Sequence, residues 1–385
     1  MGTPGVACAQ QVTPRSAFPT RRPTAPSLHA RLRTSHSGAN VSLANELQLN
    51  EAAATEQIVA TLRQQVGEVL NRRGLVVGMS GGIDSSVCAA LAVRAVGATH
   101  VFGLLMPERE SDHQSLDLAA RWADSLGIAY AVEDITPTLA ALGCYARRNA
   151  AIRRAMPEFR DEWRCKVVLS GGRLDSDRLN VSSLAVELPD GDVRHVRLPA
   201  AEYREIVAAT NFKQRVRTML EYFHADRLHY AVVGTPNRLE YDQGFFVKGG
   251  DGLADVKPIA HLYKSQVYAL AEFLGVPAAI RSRPPTTDTY SLPQTQEEFY
   301  FALPAATLDL VLFAHNLGRD PAAVAAELGR TPDEAARAVR DIDQKRATTR
   351  YLHLPPLLVE PVPEVAAQIE RRRRRTGAAR WQETT

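Results

Sequence analysis

The stretch Gly74–Ser86, which reads GLVVGMSGGIDSS, constrains the fold of this 385-residue chain more than any other. It begins with a short apolar run, Leu75–Val77, whose length predicts a buried parallel strand. The apolar residues after Ser86 predict a buried helix. Gly81 and Gly82 are therefore predicted to form the turn between the end of a strand and the start of a helix. Free backbone N–H groups and the helix dipole favour an anion at such a point. The stretch therefore predicts a phosphate-binding loop.

Asp84 is the residue of this loop that a simple anion site does not explain, because a carboxylate repels phosphate. Its presence indicates a Mg²⁺ ion between the carboxylate and the phosphate oxygens. The loop is not of the Walker type, since no Gly-Lys-Ser/Thr follows the glycines. A plain Gly-Ser turn is the alternative, and the complete strand–loop–helix unit favours the nucleotide site.

The rest of the chain repeats the alternation of strand and helix. His100–Met106, Ile128–Val132 and Tyr230–Gly234 are predicted strands, and Ser115–Leu126 is a predicted helix. This spacing predicts an α/β fold with a doubly wound, Rossmann-like parallel sheet. Ligands of such sheets lie at the carboxyl ends of the strands, where the glycine loop is placed.

Composition divides the chain into four segments. Residues 1–45 contain no Asp or Glu and several prolines, which predicts a disordered tail, with an organellar transit peptide as the alternative. Residues 46–360 form the predicted catalytic domain, with a helical C-terminal part. Within it, residues 143–200 break the α/β rhythm and are predicted to be a small β insertion. Residues 361–385 are a basic tail.

Charge and cysteine content exclude several classes of protein. A formal net charge of +3 does not favour a nucleic-acid partner, and no apolar run approaches the length of a membrane span. The four cysteines show no metal-binding spacing, which indicates a reducing compartment and predicts a cytoplasmic location.

The predicted strand ends bring together the groups that nucleotidyl transfer needs. Two acidic residues would hold a metal, lysines would stabilise the leaving pyrophosphate, and hydroxyl groups would orient ATP. Taken singly, Glu240 could cap a helix and Lys264 could lie on a solvated face. The candidate residues are Asp84, Glu240, Lys248, Lys264, Thr235 and Thr286.

A collinear series of motifs resembles the ammonia-dependent NAD synthetase family, within the superfamily of ATP pyrophosphatases. After SGGIDSS come NFKQRVR, GTPNRLE, QGFFVKGGDGLAD, PIAHLYKSQVYAL and PTTD. The resemblance implies that ATP adenylates the carboxylate of deamido-NAD, that pyrophosphate leaves, and that ammonia attacks the acyl-adenylate. It also implies a homodimer with the substrate site near the dimer interface.

Site residues follow from the same resemblance, position by position. Asp84 and Glu240 match the Mg²⁺ ligands, and Asp84 and Lys264 match catalytic positions. Positions that match ATP contacts are Gly78, Ser80, Gly81, Gly82, Ile83, Asp84, Ser85, Ser86, Thr235, Lys264 and Thr286. Positions that match deamido-NAD contacts are Arg215, Lys248, Asp255 and Lys345.

The chain departs from the family where the acyl substrate would bind. The family's His-Lys-Arg motif is matched by Gln344-Lys345-Arg346, and Leu105-Met106-Pro107 stands where some members place an Arg. A related amide ligase with another carboxylate substrate is therefore the alternative. A non-catalytic nucleotide-binding regulator is a third interpretation, opposed by the presence of both metal ligands. The ligase core begins near residue 74, so we expect no glutamine amidase domain and a supply of ammonia, free or from a separate protein.

Overall fold

The predicted α/β fold class is confirmed by a four-stranded parallel sheet with the glycine loop at its centre. The computed structural model describes residues 42–170, 181–285, 289–301, 303–365, 367–368 and 371. The strands are β1 (Leu75–Gly78), β2 (Val101–Leu105), β3 (Ala129–Val132), β4 (Cys165–Ser170), β5 (Val181–Glu187), β6 (Val193–Arg197) and β7 (Ala231–Val233). The parallel sheet has the order β3-β2-β1-β7, so β1 lies inside it. Most of the predicted tail, Thr286 and residues 372–385 lie outside the described residues.

Helices cover both faces of this sheet and form the C-terminal part. In chain order they are α1 (Leu43–Glu46), α2 (Glu51–Gln64), α3 (Ile83–Val96), α4 (His113–Leu126), α5 (Thr136–Ala141), α6 (Cys144–Ala155), α7 (Ala200–Leu228), α8 (Arg238–Gln243), α9 (Lys264–Phe273), α10 (Ala278–Arg281), α11 (Ala305–Asn316), α12 (Pro321–Glu327) and α13 (Pro332–His353). Among the described residues, no helix is both long enough and apolar enough to cross a membrane.

Strand β1 is buried on both faces because its run of residues is apolar throughout. Leu75 and Val77 pack in the core with α2, α3 and α9, whereas Val76 packs with Ala225 of α7. All three β1 side chains are fully buried. Alternate residues of a strand point to opposite faces, so a continuous apolar run suits a sheet between two helical layers.

The region predicted to be a β insertion contains helix α6 and a separate antiparallel sheet. Strand β5 lies between β4 and β6, with Cys165 opposite Val186 and Val193 opposite Glu187. The turn between β5 and β6 includes Gly191, whose φ is +88°. The apolar residues of this sheet pack on α6 and on Ile206 of α7, so the insertion has a core that α7 completes.

The C-terminal helices pack around a second core that includes the start of the described chain. Leu43 of α1 is buried there with residues of α11 and α13. Leu43 therefore supplies apolar surface to this core, although it lies three residues before the predicted domain start at 46.

Asp309 of α11 connects the C-terminal helices to the helix that carries Lys264. Its side chain accepts hydrogen bonds from the backbone N–H groups of Lys264 and Ser265, at 3.1 and 2.7 Å. These N–H groups belong to the first turn of α9, where no helical partner exists. Asp309 is fully buried, so it caps α9 from a distant part of the chain.

We predict that Asp309→Ala lowers the free energy of unfolding by about 2–3 kcal/mol, because it removes a helix cap and leaves buried donors without a partner. The matched control is Asp320→Ala, since Asp320 caps α12 at an exposed position. Removal of that exposed cap should cost about 1 kcal/mol. Urea unfolding measures both, and equal losses would contradict the role given to Asp309.

Candidate active site

The glycine loop connects β1 to α3 and leaves the start of α3 open. Gly82 is the N-cap of α3, and no side chain caps this helix. Gly81 has a φ of +73°, and a side-chain carbon built there would lie 2.3 Å from the carbonyl oxygen of Ser115. A left-handed conformation and this close approach both require glycine. The first turn of α3 therefore has no side-chain cap, which is the arrangement that the predicted phosphate site needs.

Serine hydroxyls stabilise the loop itself. The Ser85 and Ser86 hydroxyls both donate to the carbonyl oxygen of Gly82, and the Ser80 backbone N–H donates to Ser85 Oγ at 3.3 Å. Ser86 is almost fully buried and does not line the cleft described next. Its contact with Gly82 gives it a part in shaping the loop, while Ser80 and Ser85 face the cleft.

A cleft of about 520 Å³ opens beside the loop at the carboxyl ends of the strands. Most of the predicted site residues lie in its wall. Those that line it are Gly78, Ser80, Gly81, Gly82, Ile83, Asp84, Ser85, Arg215, Thr235, Glu240, Lys248 and Lys264. Ser86, Asp255 and Lys345 do not line it, and Thr286 lies outside the described residues.

The centre of the cleft wall is a cluster of two carboxylates and one cation. Lys264 Nζ lies 2.5 Å from Asp84 Oδ2, although the two residues are 180 positions apart. Asn237 Nδ2 donates to Asp84 Oδ1 at 3.2 Å, and the Asn237 backbone N–H donates to Glu240 Oε2 at 3.0 Å. Gln296 Nε2 donates to Glu240 Oε1 at 2.7 Å. The predicted acidic pair and lysine are therefore brought together.

Lys264 is a buried cation, only 2% exposed, which excludes the solvated-face interpretation. It is the first residue of α9, so its side chain begins at a helix start that Asp309 holds in place. Burial acts to lower its pKa, but the charges of Asp84 and Glu240 outweigh burial and raise it. Lys264 therefore stays protonated beside the loop.

Glu240 has the capping role that its sequence position allows, together with a place in the cluster. It is the N3 residue of α8 and forms a capping box with Asn237. Burial and the negative charge of Asp84 raise its pKa to about 7. Asn237 is one of the residues that sequence reasoning missed, although the spacing Asn-x-x-Glu of the capping box is visible in GTPNRLE.

The donor set fits Mg²⁺. Asp84 and Glu240 are two carboxylates at one wall of the cleft, and their mutual repulsion is relieved by a cation. Within the described residues, no group of three or more His, Cys, Asp or Glu could hold a metal. The two carboxylates would therefore share the ion with oxygens of a ligand, as is usual for Mg²⁺ beside phosphates.

Arg215 and Lys248 lie together at the outer rim of the cleft. Arg215 Nε donates to the carbonyl oxygen of Lys248 at 3.4 Å. Lys248 Nζ donates to the carbonyl oxygens of Tyr351 and Leu354, at 2.7 and 3.3 Å. The end of α13 therefore closes this rim, where the side chains of Arg215 and Lys248 are both exposed.

Two predicted substrate residues make other contacts. Asp255 accepts a hydrogen bond from the Val232 backbone N–H at 2.8 Å, which ties a loop to β7. Lys345 pairs with Asp341 on its own helix, and its Nζ lies 4.9 Å from the centre of the Tyr300 ring. The residues of α13 that line the cleft are Tyr351 and Leu352, which lie nearly two helical turns after Lys345. The motif match at Lys345 identified the right helix but a residue outside the lining.

Glu221 and Asp251 are acidic lining residues that the sequence reasoning missed. Glu221 of α7 faces Gly78 so closely that a side-chain carbon on Gly78 would lie 2.2 Å from Glu221 Oε1. Burial and the charge of Asp251 raise the pKa of Glu221 to about 8. Burial also raises the pKa of Asp251, to about 6. The signal in the sequence was weak, because Glu221 sits within an otherwise ordinary helix pattern.

Sequence comparisons show which proteins this chain is similar to. Residues 54–162 and 177–352 match the family described as NAD synthase. An NH(3)-dependent NAD(+) synthetase of Rhizobium meliloti is 58% identical over 324 residues, which are 84% of this chain and 96% of the relative. One from Thermotoga maritima is 37% identical over 265 residues, 69% of this chain and 88% of the relative.

Solved structures share the fold. An NMN synthetase from Francisella tularensis superposes with a TM-score of 0.54 at 22% identity, covering 82% of this chain and 100% of that one. An NH3-dependent NAD synthetase from Campylobacter jejuni, in complex with the nitrate ion, gives 0.53 at 21% identity, covering 81% of this chain and 100% of that one.

We predict that Glu221→Gln removes a pH-dependent loss of stability. In the unfolded chain the Glu221 carboxyl ionises near its ordinary pKa of 4.5, whereas in the fold it does so near 8. Between these values the folded state holds the extra proton, so the free energy of unfolding of the native sequence falls as pH rises. The variant should be more stable than the native sequence at pH 8 by a few kcal/mol and similar to it at pH 4.5.

Urea unfolding of the ligand-free protein at pH 4.5, 6 and 8 measures this effect. Glu56→Gln, on an exposed position of α2, is the matched control and should leave the pH dependence unchanged. A Glu221→Gln variant that loses stability with pH as steeply as the native sequence would show that Glu221 ionises normally in the fold.

Proposed function

Because the chain belongs to the NAD synthase family, we propose that it forms NAD by ATP-dependent amidation of deamido-NAD with ammonia. The enzyme is then a ligase that forms a carbon–nitrogen bond. The observation that carries this proposal is the buried cluster of Asp84, Glu240 and Lys264 beside an open helix start. That cluster supplies what adenylation by ATP needs, and the motifs that supply it lie in the region matched to the family.

The phosphate end of the site follows from the residues on the cleft wall. The backbone N–H groups at the start of α3 and the Ser80 hydroxyl would bind phosphate oxygens. Asp84 and Glu240 would hold Mg²⁺, which supplies charge neutralisation on the phosphates when bound. Lys264, fixed as a cation, would stabilise the charge that develops on the departing pyrophosphate. Thr235, at the end of β7, adds a hydroxyl on the same wall.

The acyl end of the site needs cations and no protein nucleophile. Arg215 and Lys248 at the rim would bind the phosphates of a dinucleotide. The carboxylate oxygen of the substrate attacks the α-phosphorus of ATP, and the bond to the bridging oxygen of pyrophosphate breaks. Ammonia then attacks the acyl carbon, AMP leaves, and the nitrogen loses a proton to yield the amide.

A homodimer is part of the proposal. Met219 and Phe223 of α7 are 56% and 59% exposed, and they lie on the same helix face as Arg215. Apolar side chains of this size on one exposed stripe favour a protein partner. A second copy of the chain that covers this stripe would bring the interface next to the rim where the acyl substrate binds. A cytoplasmic location is also proposed, since Cys88, Cys144 and Cys165 are free, buried thiols.

A related amide ligase with another carboxylate substrate is the second candidate. Lys345 does not line the cleft, and Glu221 adds a carboxyl group near the glycine loop. A structure described as an NMN synthetase has the same fold, so the fold does not identify the acyl substrate. The regulator interpretation has no such support, because both predicted metal ligands and Lys264 meet in one cluster.

We predict pyrophosphate exchange into ATP that depends on deamido-NAD and Mg²⁺, and NAD formation when ammonia is added. The assay compares deamido-NAD with nicotinate mononucleotide, nicotinate and aspartate, each with and without Mg²⁺. Exchange with deamido-NAD alone supports the proposed function. Exchange with another acid alone would move the function to the second candidate, and no exchange with any acid would contradict a ligase.

We predict that Asp84→Asn lowers the rate of exchange at least 100-fold, because it removes a metal ligand and the ion pair of Lys264 together. The midpoint of thermal unfolding should also fall, because the variant leaves the buried Lys264 cation without its Asp84 partner, so exchange is measured at a temperature where both proteins are folded. The matched control is Asp117→Asn, at an exposed position of α4. A fully active Asp84→Asn enzyme would exclude Asp84 as a metal ligand.

A further inference from the structure

One wall of the cleft is formed by residues 289–301, which are mostly irregular up to Gln296 and then form a π-helical turn at Glu297–Phe301, and this wall contacts Glu240. Residues 289–301 contribute Thr289, Gln296, Phe299 and Tyr300 to the lining. The hydrogen bond from Gln296 to Glu240 Oε1 makes this wall a support of the Glu240 carboxylate. Within the described residues, the backbone N–H of Asn237 also donates to this carboxylate. The orientation of Glu240 therefore depends on where this segment lies.

Strand β4 of the insertion anchors the wall along its length. The Leu292 backbone N–H donates to the carbonyl oxygen of Cys165 at 3.2 Å. Lys166 Nζ donates to the carbonyl oxygen of Pro293 at 3.0 Å and pairs with Glu298 at 2.9 Å. These contacts lie four and three residues before Gln296 and two residues after it. The insertion sheet thus holds the wall from its outer side.

Side chains extend this attachment into the core of the insertion. Gln294 donates through Nε2 to the carbonyl oxygen of Val167, one residue beyond Lys166. Tyr290 is buried among the apolar residues of the insertion, with Cys165 and Ile206. The segment therefore packs on the insertion as well as bonding to it, and the β4 edge contacts it from Tyr290 to Glu298.

A buried charge cluster fixes the other end of the wall. Lys213, 1% exposed, donates to the carbonyl oxygen of Thr289 at 2.8 Å and pairs with Glu108 and Glu110, at 2.6 and 2.7 Å. A buried lysine requires such partners. Two residues of α6 in the insertion complete the cluster: Tyr145 donates to Glu108, and Arg148 pairs with Glu110.

We propose that the 143–200 insertion positions the cleft wall over residues 289–298 and, through Gln296, the carboxylate of Glu240. Gln296 is then a positioning residue for the ATP-dependent step, and the insertion is a support of the active site. This inference rests on the proposed function, because it assigns to Glu240 the role of Mg²⁺ ligand. Ordering an irregular segment costs conformational entropy, and contacts made outside the cleft offset that cost without occupying substrate space.

The test measures binding of a non-hydrolysable ATP analogue by calorimetry over a range of Mg²⁺ concentrations. Gln296→Leu keeps the size of the side chain and removes the donor to Glu240. We expect the affinity for the analogue in saturating Mg²⁺ to fall about tenfold, the effect of losing one hydrogen bond to a charged group. Binding without Mg²⁺ should be unchanged. Equal affinities of variant and native sequence in Mg²⁺ would overturn the role of Gln296.

A pair of variants in the insertion tests whether contacts made by the insertion are needed for Mg²⁺-dependent binding of the analogue. Lys166→Met removes an ion pair between the insertion and the wall, whereas Arg194→Met removes one that joins β6 to Glu158. Both ion pairs are partly exposed, so each change should alter stability little. Only Lys166→Met should weaken Mg²⁺-dependent binding, by roughly threefold. Equal effects of the two variants, or none from Lys166→Met, would overturn the role of the insertion.

The double variant Lys166→Met with Gln296→Leu tests whether the two residues affect Mg²⁺-dependent binding through the same contacts or independently. If Lys166 acts through the wall and Gln296, the double variant should bind no more weakly than Gln296→Leu alone. Multiplied losses would contradict that route. The analogue assay needs no acyl substrate. Inactivity toward deamido-NAD would therefore contradict the proposed function, whereas the effects of the variants on analogue binding would still test the role of the insertion.

Discussion

The buried ion pair between Lys264 and Asp84 is the interaction on which the rest of this structure depends. A cation that is 2% exposed is stable only with charged partners, and it has Asp84 at 2.5 Å with the Glu240 charge nearby. The pair needs the glycine loop on one side and the start of α9 on the other. Asp309 of α11 holds that start, so the C-terminal helices take part in forming the site.

The cluster holds more negative than positive charge, and this imbalance suits its chemistry. Two carboxylates share one lysine, and the pKa of Glu240 is raised to about 7 as a consequence of burial and of the Asp84 charge. In the proposed function, a divalent cation that binds together with the phosphates of ATP would remove this repulsion. The carboxylate pair would then favour metal-bound nucleotide over nucleotide alone. The insertion contributes by holding the wall that carries Gln296.

The strand–loop–helix unit and the α/β class could be predicted because their signals are local. Leu75–Val77, Gly81 and the start of α3 lie within a dozen residues, and their roles follow from backbone geometry and apolar patterning. Glu240 was harder, since a helix cap and a metal ligand have the same sequence signature, and the structure gives it the cap while placing it beside Asp84. Lys345 differs from Glu240 because it does not line the cleft, and its motif match carried no information on the direction of its side chain.

The sequence by itself determined a parallel α/β sheet, a phosphate loop and the residue types of an adenylating site. Periodicity, glycine conformation and the order of the motifs are enough for that. Only the tertiary structure decided that Lys264 is buried against Asp84 and that Gln296 donates a hydrogen bond to Glu240. These contacts join residues 56 to 180 positions apart, and such pairings are set by how helices and strands pack. Packing depends on all of the surrounding side chains at once, so no short stretch of sequence specifies it.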